Sequence, residues 1–321
     1  MKARAVRITQ PGGPEVLELG EIDVRPPGGG ELLVAVAAAG LNRADCLQRR
    51  GVYPAPAGVA ADVPGLEYAG VVEAVGPGVT SFAPGDRVMG IVGGGGMCTH
   101  LVVHERETLR VPDGLSLTDA AAVPEAFLTA WDAVYRQAGL RHGETLLVHA
   151  IASGIGTAAL QLGQATGNVV YGTSRSADKL DRCQGLGLKH PILVEDGTFS
   201  KRVKADVILD TIGAAYLKEN LKALRLRGRI VTIGLLGGAT GPMPLGLLLA
   251  RRATLMGSVL RSRPLEEKAA LTQEFSASML PLFAEGSLRP VVDDVLPMSA
   301  VVEAHSRMES NKTFGKLVLS W

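Results

Sequence analysis

A run of small residues follows a short apolar segment near the middle of the chain. After Thr145–His149 the sequence continues through Ser153-Gly154-Ile155-Gly156 to Ala159, which gives the spacing G-x-G-x-x-A. Gly154 would permit a tight turn, and Gly156 would let the backbone approach a pyrophosphate. The small Ala159 would let the next helix lie close to the strand, with its positive N-terminus facing the phosphates. The run predicts a dinucleotide site, although two glycines among 40 also fit an ordinary strand-to-helix turn.

Contacts to the ribose of such a nucleotide are expected about twenty residues further on. There the sequence is Ser174-Arg175-Ser176, and Lys179 follows one helical turn later. Hydroxyl and cationic side chains can bind a 2′-phosphate, whereas a carboxylate at the strand end would repel it. We therefore expect NADPH as the cofactor, bound by Ser174, Arg175 and Lys179. The neighbouring Asp178 leaves a second interpretation open, in which the two cations only belong to a solvated helix face.

The glycine run lies within a series of apolar segments that alternate with helical stretches. Because these segments are apolar on both faces, they predict a parallel sheet covered by helices on each side. A helix is expected over Leu160–Thr166, and Ser176 is a candidate N-cap for the next one. Six such strands make a complete doubly wound dinucleotide fold. The predicted strands are Thr145–His149, Val169–Thr173, Pro191–Val194, Ala205–Asp210, Arg229–Gly234 and Thr254–Val259.

The first third of the chain is rich in glycine and proline and predicts a compact, mainly β domain. The tail after Pro264 predicts an amphipathic helix over Leu265–Leu282 and a final strand near Lys316–Leu319. The strands predicted for the first third are Ala3–Ile8, Glu31–Ala38, Tyr68–Val75, Arg87–Val92 and Cys98–Val103.

Composition and charge exclude several classes of function. The 33 basic and 32 acidic residues leave a formal charge of +1, which provides no electrostatic footprint for nucleic acid or an anionic membrane. Cys46, Cys98 and Cys183 are odd in number and far apart, so no disulfide framework is expected and a reducing cytoplasm is the predicted location. No signal peptide and no membrane-spanning apolar run is recognisable.

Several further blocks of sequence fit one family. The chain resembles the medium-chain dehydrogenase/reductase superfamily, specifically its zinc-free quinone oxidoreductases and, within them, the p53-inducible quinone oxidoreductase group. The blocks that carry the resemblance are Gly40-Leu41-Asn42-Arg43-Ala44-Asp45, Pro64-Gly65-Leu66-Glu67-Tyr68-Ala69-Gly70, Gly85-Asp86-Arg87-Val88, Pro124-Glu125-Ala126-Phe127-Leu128-Thr129-Ala130-Trp131, Gly257-Ser258-Val259-Leu260-Arg261-Ser262-Arg263 and Asn311-Lys312-Thr313-Phe314-Gly315-Lys316, together with the glycine run.

The resemblance implies an α/β protein of two domains. Residues 1–122 with 265–321 are expected to form a GroES-like β-barrel catalytic domain, and residues 123–264 a doubly wound Rossmann-fold cofactor domain. It also implies a homodimer formed through the last strand of the nucleotide sheet, near Thr254–Leu260.

Zinc alcohol dehydrogenases of the same superfamily hold a catalytic metal with two thiolates and an imidazole. At the matching positions this chain has Asn42, Leu66 and Glu125. An amide, an isobutyl group and one carboxylate do not make a site for a borderline-soft metal, so no zinc is expected.

The resemblance also assigns roles to individual residues. Asn42 and Tyr53 are expected to form hydrogen bonds with the acceptor's developing oxyanion, and Tyr53 could also relay a proton. A turn-stabilising role for Asn42 and a packing role for Tyr53 are the alternatives. The remaining residues expected near the nucleotide are Thr129, Leu235, Leu236, Gly257, Arg263, Asn311 and Lys316.

The nucleotide patterns and the resemblance together imply an NADPH-dependent, zinc-independent oxidoreductase that transfers hydride from nicotinamide C4 to quinones or related conjugated carbonyls. Two alternatives remain: an enoyl-type reductase of α,β-unsaturated carbonyls, and a non-catalytic NADPH-binding redox sensor or scaffold.

Overall fold

The computed structural model describes all residues from Met1 to Trp321. The chain forms two compact units. The first comprises Met1–Leu128 together with Leu260–Trp321, and the second comprises Thr129–Val259. The expected domain boundaries were drawn at 122/123 and 264/265, a few residues from these limits.

The N-terminal part of the first unit is an antiparallel β-structure. Strands β3, β4, β5 and β7 pair in that order, β6 pairs with β3, and β1 with β2 forms a separate hairpin. Alternate residues of β3, including Leu32 and Val34, pack against Tyr68 and Val72 of β4 in one apolar core. The strands are β1 (Lys2–Ile8), β2 (Leu17–Asp23), β3 (Glu31–Leu41), β4 (Glu67–Val75), β5 (Arg87–Ile91), β6 (His100–His104) and β7 (Thr108–Arg110), and the helices are α1 (Arg43–Arg49), α2 (Leu117–Ala120) and α3 (Pro124–Trp131).

The second unit contains a six-stranded, wholly parallel sheet with helices between the strands. Its strand order is β10-β9-β8-β11-β12-β13, which confirms the predicted doubly wound fold. Leu146, Leu147 and Val148 of β8 are all fully buried, as a strand covered on both faces requires. The elements are β8 (Thr145–Val148), α4 (Gly154–Ala165), β9 (Val169–Ser174), α5 (Ala177–Gly185), β10 (His190–Leu193), β11 (Ala205–Asp210), α6 (Leu217–Ala223), β12 (Leu224–Thr232), α7 (Leu245–Arg251) and β13 (Thr254–Gly257).

The C-terminal segment returns to the sheet of the first unit. It forms α8 (Leu265–Ala284), β14 (Val292–Pro297), α9 (Val301–Glu309) and β15 (Lys316–Ser320). Strand β15 is antiparallel to β3, with Leu317 opposite Leu41, and parallel to β14. This register brings Lys316 beside the end of β3, where Asn42 begins the connection to α1. None of the helices combines the length and apolar composition that crossing a membrane requires.

Candidate active site

The glycine run forms a sharp turn between β8 and α4. Ala150 adopts a left-handed backbone conformation with φ of 49°, and the chain then reaches Ser153, the N-cap of α4. The Ser153 hydroxyl accepts a hydrogen bond from the Gly156 amide at 3.0 Å. The helix therefore begins at Gly154, six residues before the predicted start, because Ser153 supplies a cap that the prediction did not use. The amides of Gly154 and Ile155 remain at the open end of the helix, where an anion can bind them.

Gly156 is required by the packing of the turn itself. A Cβ atom at this position would lie 2.5 Å from the carbonyl oxygens of both Ala150 and Ile151. Gly172 of β9 is similarly close to the Ile151 side chain. The expected reason for Gly156 was the approach of a pyrophosphate, and the structure shows that the close approach of its own backbone already demands glycine.

Polar residues follow the end of β9, next to the glycine turn in the sheet. The Ser174 hydroxyl accepts from the Ser176 amide at 3.1 Å, and the Ser176 hydroxyl caps α5 by accepting from the Lys179 amide at 3.4 Å. Arg175 is exposed. Burial raises the pKa of Tyr216 and the Arg175 charge opposes that rise, so this guanidinium is within electrostatic reach of the phenol.

Buried His149 connects three elements beneath this surface. Its Nε2 lies 2.6 Å from the Asn220 Oδ1 of α6, and its Nδ1 lies 2.8 Å from the Thr173 hydroxyl of β9. Since the amide oxygen only accepts, Nε2 carries the proton and Nδ1 accepts from the hydroxyl. Burial lowers the pKa of His149 to about 4, so the imidazole is neutral at physiological pH. His149 therefore packs and bonds β8, β9 and α6 together.

The other predicted nucleotide contacts of the second unit follow the same edge of the sheet. Leu235 and Leu236 lie beyond the end of β12, and both are more than half exposed. Gly257 ends β13, and Thr129 is partly buried in α3. Because carboxyl ends of parallel strands share one edge, the glycine turn, Ser174, Leu235 and Gly257 are brought to the same edge, where doubly wound folds bind their ligands.

A second polar group lies in the first unit, built around the fully buried Glu67 at the start of β4. We refer to Asn42, Asp45, Glu67, Glu125 and Lys316 as the acid cluster. The Lys316 ammonium donates to Glu67 Oε1 at 2.5 Å, to Asn42 Oδ1 at 2.5 Å and to the Leu41 carbonyl at 3.2 Å. These three acceptors match the three N–H groups of the ammonium.

Glu67 accepts two further hydrogen bonds. The Asn42 side-chain amide donates to Oε1 at 3.0 Å, and the Glu125 backbone amide donates to Oε2 at 2.8 Å. The carboxylate is thus held by β15, by the start of α1 and by the start of α3. Burial of an ion pair is tolerated only when the remaining lone pairs are satisfied in this way.

The Asn42 side chain forms its hydrogen bonds within the protein. Its Nδ2 donates to Glu67 and, at 3.3 Å, to the Gly40 carbonyl, while its Oδ1 accepts from Lys316. Both N–H groups are therefore engaged within the protein, and no donor is left for an acceptor molecule. The position is also 6% exposed, which fits a residue that positions Glu67 and Lys316.

Asp45 supports the same segment from within α1. Its carboxylate accepts hydrogen bonds from the backbone amide of Asn42 at 2.8 Å and from the backbone amide of Gly65 at 2.9 Å. Burial raises the pKa of Asp45 to about 6, and these two hydrogen bonds limit the rise. These contacts fix the chain at the start of α1 against the segment that precedes β4.

Glu125 differs from the other two carboxyl groups because its side chain accepts no hydrogen bond. Only the backbone amide of Glu125 forms a hydrogen bond in the cluster, and it donates to the Glu67 carboxylate. Burial raises the pKa of Glu125 to about 7; Lys316 opposes the rise, while the carboxylates of Glu67 and Asp45 add to it. Glu125 is thus a carboxyl group that changes protonation near neutrality.

Tyr53 lies beside this cluster and is held by Arg261, a residue without a predicted role. The Arg261 guanidinium lies 5.0 Å from the centre of the Tyr53 ring and donates to the Tyr53 carbonyl at 3.2 Å. It also donates to Gln48 Oε1 and to the Gly93 carbonyl. Burial raises the pKa of Tyr53, Arg261 opposes that rise, and Glu125 adds to it. The family block that contains Leu260-Arg261-Ser262-Arg263 was the signal in the sequence that could have identified Arg261.

Three predicted nucleotide contacts belong to the first unit. Lys316 is 3% exposed, and its ammonium donates all three of its hydrogen bonds within the acid cluster. The Asn311 side chain accepts from Arg43 at 2.7 Å, and Arg263 lies 3.9 Å from Glu267. The nucleotide contacts of Asn311 and Arg263 stay predictions.

The three positions compared with zinc ligands contain no thiolate or imidazole. Leu66 is buried and apolar, and the Asn42 amide is bonded to Glu67 and Lys316. Across residues 1–321, no three His, Cys, Asp or Glu side chains are grouped so that they could hold a metal ion.

Two family models match the chain in agreement with this architecture. Residues 28–113 match a model described as an alcohol dehydrogenase GroES-like domain. Residues 186–319 match a model described as a zinc-binding dehydrogenase. The GroES-like and doubly wound components of the predicted fold class are both confirmed.

A curated relative is similar over almost the whole chain. The human synaptic vesicle membrane protein VAT-1 homolog is 31% identical, and the match covers 98% of this chain and 86% of that protein.

Solved structures of oxidoreductases are similar to this chain over almost its full length. An NAD-dependent alcohol dehydrogenase is 34% identical with a TM-score of 0.87, covering 99% of both chains. A Pseudomonas syringae quinone oxidoreductase is 29% identical with a TM-score of 0.87, covering 99% of this chain and 100% of that one. The CurK enoyl reductase is 26% identical with a TM-score of 0.86, covering 99% of both chains.

Proposed function

Since the chain belongs to the medium-chain dehydrogenase/reductase superfamily and is an oxidoreductase of that family, we propose that it is an NADPH-dependent, zinc-independent quinone oxidoreductase. The observation that carries the proposal is the acid cluster. At the positions where metal-dependent relatives have thiolate and imidazole ligands, this chain has the hydrogen-bonded amide of Asn42, the buried side chain of Leu66 and the carboxyl group of Glu125. Beside them, the Lys316 ammonium is paired with the Glu67 carboxylate.

Such a site suits an acceptor that is already electron-poor. A saturated alcohol needs a Lewis acid because its alkoxide is poorly stabilised at neutral pH. A quinone or conjugated carbonyl needs mainly correct positioning and a hydrogen bond to the oxygen on which charge develops. Tyr53 fits the role of that donor because Arg261 fixes its ring and its backbone carbonyl.

The second unit offers the features that NADPH requires. The open amides of Gly154 and Ile155 suit its pyrophosphate, and the exposed Leu235 and Leu236 suit an apolar part of the cofactor. Ser174, Arg175 and Lys179 follow β9 at the position where a 2′-phosphate is distinguished from a hydroxyl. When bound, NADPH would supply hydride from C4 of its nicotinamide.

An enoyl reductase is the second candidate, and a specific observation favours it. The CurK match covers 99% of the chain, and the JamJ enoyl reductase is similar with a TM-score of 0.88 at 26% identity. The geometry needed to reduce a conjugated carbonyl is the same as for a quinone, so the fold cannot separate the two activities.

A panel assay separates the candidates. Purified protein is supplied with NADPH or NADH and with a series of quinones and α,β-unsaturated carbonyls, and nucleotide oxidation is followed by absorbance. We expect NADPH to be preferred and quinones to give the highest kcat/KM. Highest kcat/KM with the unsaturated carbonyls would assign an enoyl reductase, and NADPH binding without oxidation by any acceptor would favour a sensor or scaffold.

We also propose a homodimer that pairs through β13. This strand lies at the edge of the six-stranded sheet, and Leu255 on it and Leu249 on α7 are exposed. An edge strand with apolar neighbours is a template for pairing with a second chain. Light scattering should give the mass of two chains, and Leu255→Lys should give the mass of one.

A further inference from the structure

The acid cluster and its surroundings contain three buried or partly buried carboxyl groups and only two cations. The carboxyl groups are Asp45, Glu67 and Glu125, and the cations whose charges act on them are Lys316 and Arg261. A third negative charge would have no counter-charge in this region. Burying an unpaired carboxylate is costly, so one of the three groups is expected to hold a proton.

Hydrogen bonding decides which group that is. Glu67 accepts from Lys316, from the Asn42 side chain and from the Glu125 amide. Asp45 accepts from two backbone amides. Donors of this kind stabilise the charged form of a carboxyl group. The Glu125 carboxyl group accepts no hydrogen bond, so the proton is most stable there.

Glu125 is also placed where a proton can be used. It begins α3 and is only partly buried, whereas Asp45 and Glu67 are fully buried. Its charge acts on the phenol of Tyr53, the residue proposed to bind the acceptor's oxygen. No other carboxyl group of the cluster combines partial exposure with proximity to Tyr53.

We infer that Glu125 is a catalytic acid that stores one proton and donates it directly to the reduced acceptor. This inference rests on the proposed reduction. Hydride addition reduces a quinone to the hydroquinone monoanion while the nucleotide is oxidised. The O–H bond of Glu125 then breaks, an O–H bond forms on the hydroquinone oxygen, and Glu125 is left as a carboxylate. A proton from bulk solution then re-protonates Glu125 before the next turnover, so each cycle consumes one hydride from the nucleotide and one proton from solution.

The groups that face Glu125 determine the direction of its pH dependence. They are Glu67 on β4, Asp45 on α1, Lys316 on β15, and Tyr53 with Arg261 beside them. Because the pKa of Glu125 is raised to about 7, the acid form is present below that pH and is lost above it. Turnover limited by proton donation should therefore fall as the pH rises through neutrality.

Infrared spectroscopy tests the stored proton without any turnover. The protein without nucleotide is titrated, and the carbonyl stretch of protonated carboxyl groups is compared in wild type, Glu125→Gln and Glu303→Gln. Glu303 is a surface residue of α9 and serves as the matched control. We expect a band that titrates near pH 7 in wild type and Glu303→Gln and is missing in Glu125→Gln, whereas the band of Asp45, whose pKa is about 6, should remain in all three proteins. An identical titration in all three proteins would overturn the inference.

Kinetics then test the donation. Glu125→Gln keeps the shape of the side chain but cannot supply its proton in this way, so we expect kcat with a quinone to fall about 100-fold and to lose its decline above neutrality. Glu125→Asp should have a reduced kcat that still declines as the pH rises above neutrality. Tyr53→Phe should show the same decline of kcat but a higher KM for the quinone.

The outcomes separate the inference from the proposed function. Wild-type turnover with unchanged kcat and pH profile in Glu125→Gln would overturn the inference alone. Failure of wild type to oxidise NADPH with any acceptor would overturn both. If Glu125→Gln does not fold, the wild-type infrared titration and the Glu125→Asp profile decide: absence of a carboxyl band that titrates near neutrality contradicts the inference.

Discussion

The glycine turn of the second unit and the acid cluster of the first differ in how the chain constructs them. The turn uses one continuous segment, from Ala150 to Gly156, and most of its bonds involve backbone atoms. The cluster joins side chains from β4, α1, α3 and β15, and the hydrogen bond between Lys316 and Glu67 spans 249 positions of sequence. A backbone site should therefore be sensitive to added volume, and a side-chain site to the loss of a single charge.

The largest effect is expected from adding volume to the turn. Gly156→Val would place side-chain atoms against the carbonyl oxygens of Ala150 and Ile151, so we expect the free energy of unfolding to fall by about 3 kcal/mol and NADPH binding to be lost. Denaturant titration and fluorescence titration with NADPH measure the two effects.

Gly185→Ala is the matched control for that substitution. A Cβ atom at Gly185, in the last turn of α5, would have no heavy atom within 4 Å. We expect its stability and binding to match wild type. Equal behaviour of the two variants would show that close backbone approach does not determine the turn.

Loss of one charge from the acid cluster should have the next largest effect. Lys316→Met leaves Glu67 buried without its counter-charge, and we expect a loss of about 3–5 kcal/mol in denaturant titration. The exposed ion pair of Lys2 with Asp23 supplies the control, because Lys2→Met should leave stability unchanged within error. Adding Glu67→Gln to Lys316→Met should recover part of the loss, and no recovery would argue against a charge effect.

Buried His149, beneath the glycine turn, should make the free energy of unfolding fall at low pH, in contrast to the acid cluster. The pKa of His149 is lowered from 6.5 to about 4, so the unfolded chain binds a proton before the folded one does. Its stabilising contribution is complete above pH 6.5 and declines as the pH falls to about 4, by on the order of 3 kcal/mol. Denaturation of His149→Gln across this range should show a smaller decline than wild type, because only buried His305 still contributes to it, whereas His142→Gln at an exposed position should keep the full decline.

The acid cluster should respond in the opposite direction. The raised pKa values of Asp45 and Glu125, about 6 and about 7, mean that their contributions are present at low pH and decline as the pH rises through those values. We therefore expect the free energy of unfolding of Glu125→Gln to fall on acidification by as much as that of wild type. This result would confirm that His149 and the acid cluster titrate separately.

The smallest effect is expected at the end of β9. Arg175→Ala removes one charge-assisted contact to a 2′-phosphate, so we expect the Kd for NADPH to rise about 10-fold while that for NADH is unchanged. Lys189→Ala, in a loop before β10, is the control for removing a cation from this unit. Equal losses for both nucleotides would place Arg175 outside phosphate recognition.

The sequence was informative where structure is local. Six parallel strands, the glycine run and the Ser176 cap could be predicted because each depends on periodicity or on residues within one turn. The start of α4 at Gly154 was missed because the glycines indicate a turn, whereas Ser153 indicates the N-cap of a helix that already includes them. The pairing of Lys316 with Glu67 and the contact of Arg261 with Tyr53 were missed because they depend on the register of β15 against β3 and on loop packing.

The central claim is reduction of an activated acceptor by NADPH without a metal. Protein treated with a strong chelator and freed of it by gel filtration is mixed with NADPH and a benzoquinone, and the loss of nicotinamide absorbance is recorded beside untreated protein and beside treated protein with added zinc. We predict equal rates in all three samples and a lower kcat/KM with NADH. Activity that is lost on chelation and restored by zinc, or no oxidation of NADPH in any sample, would contradict the account.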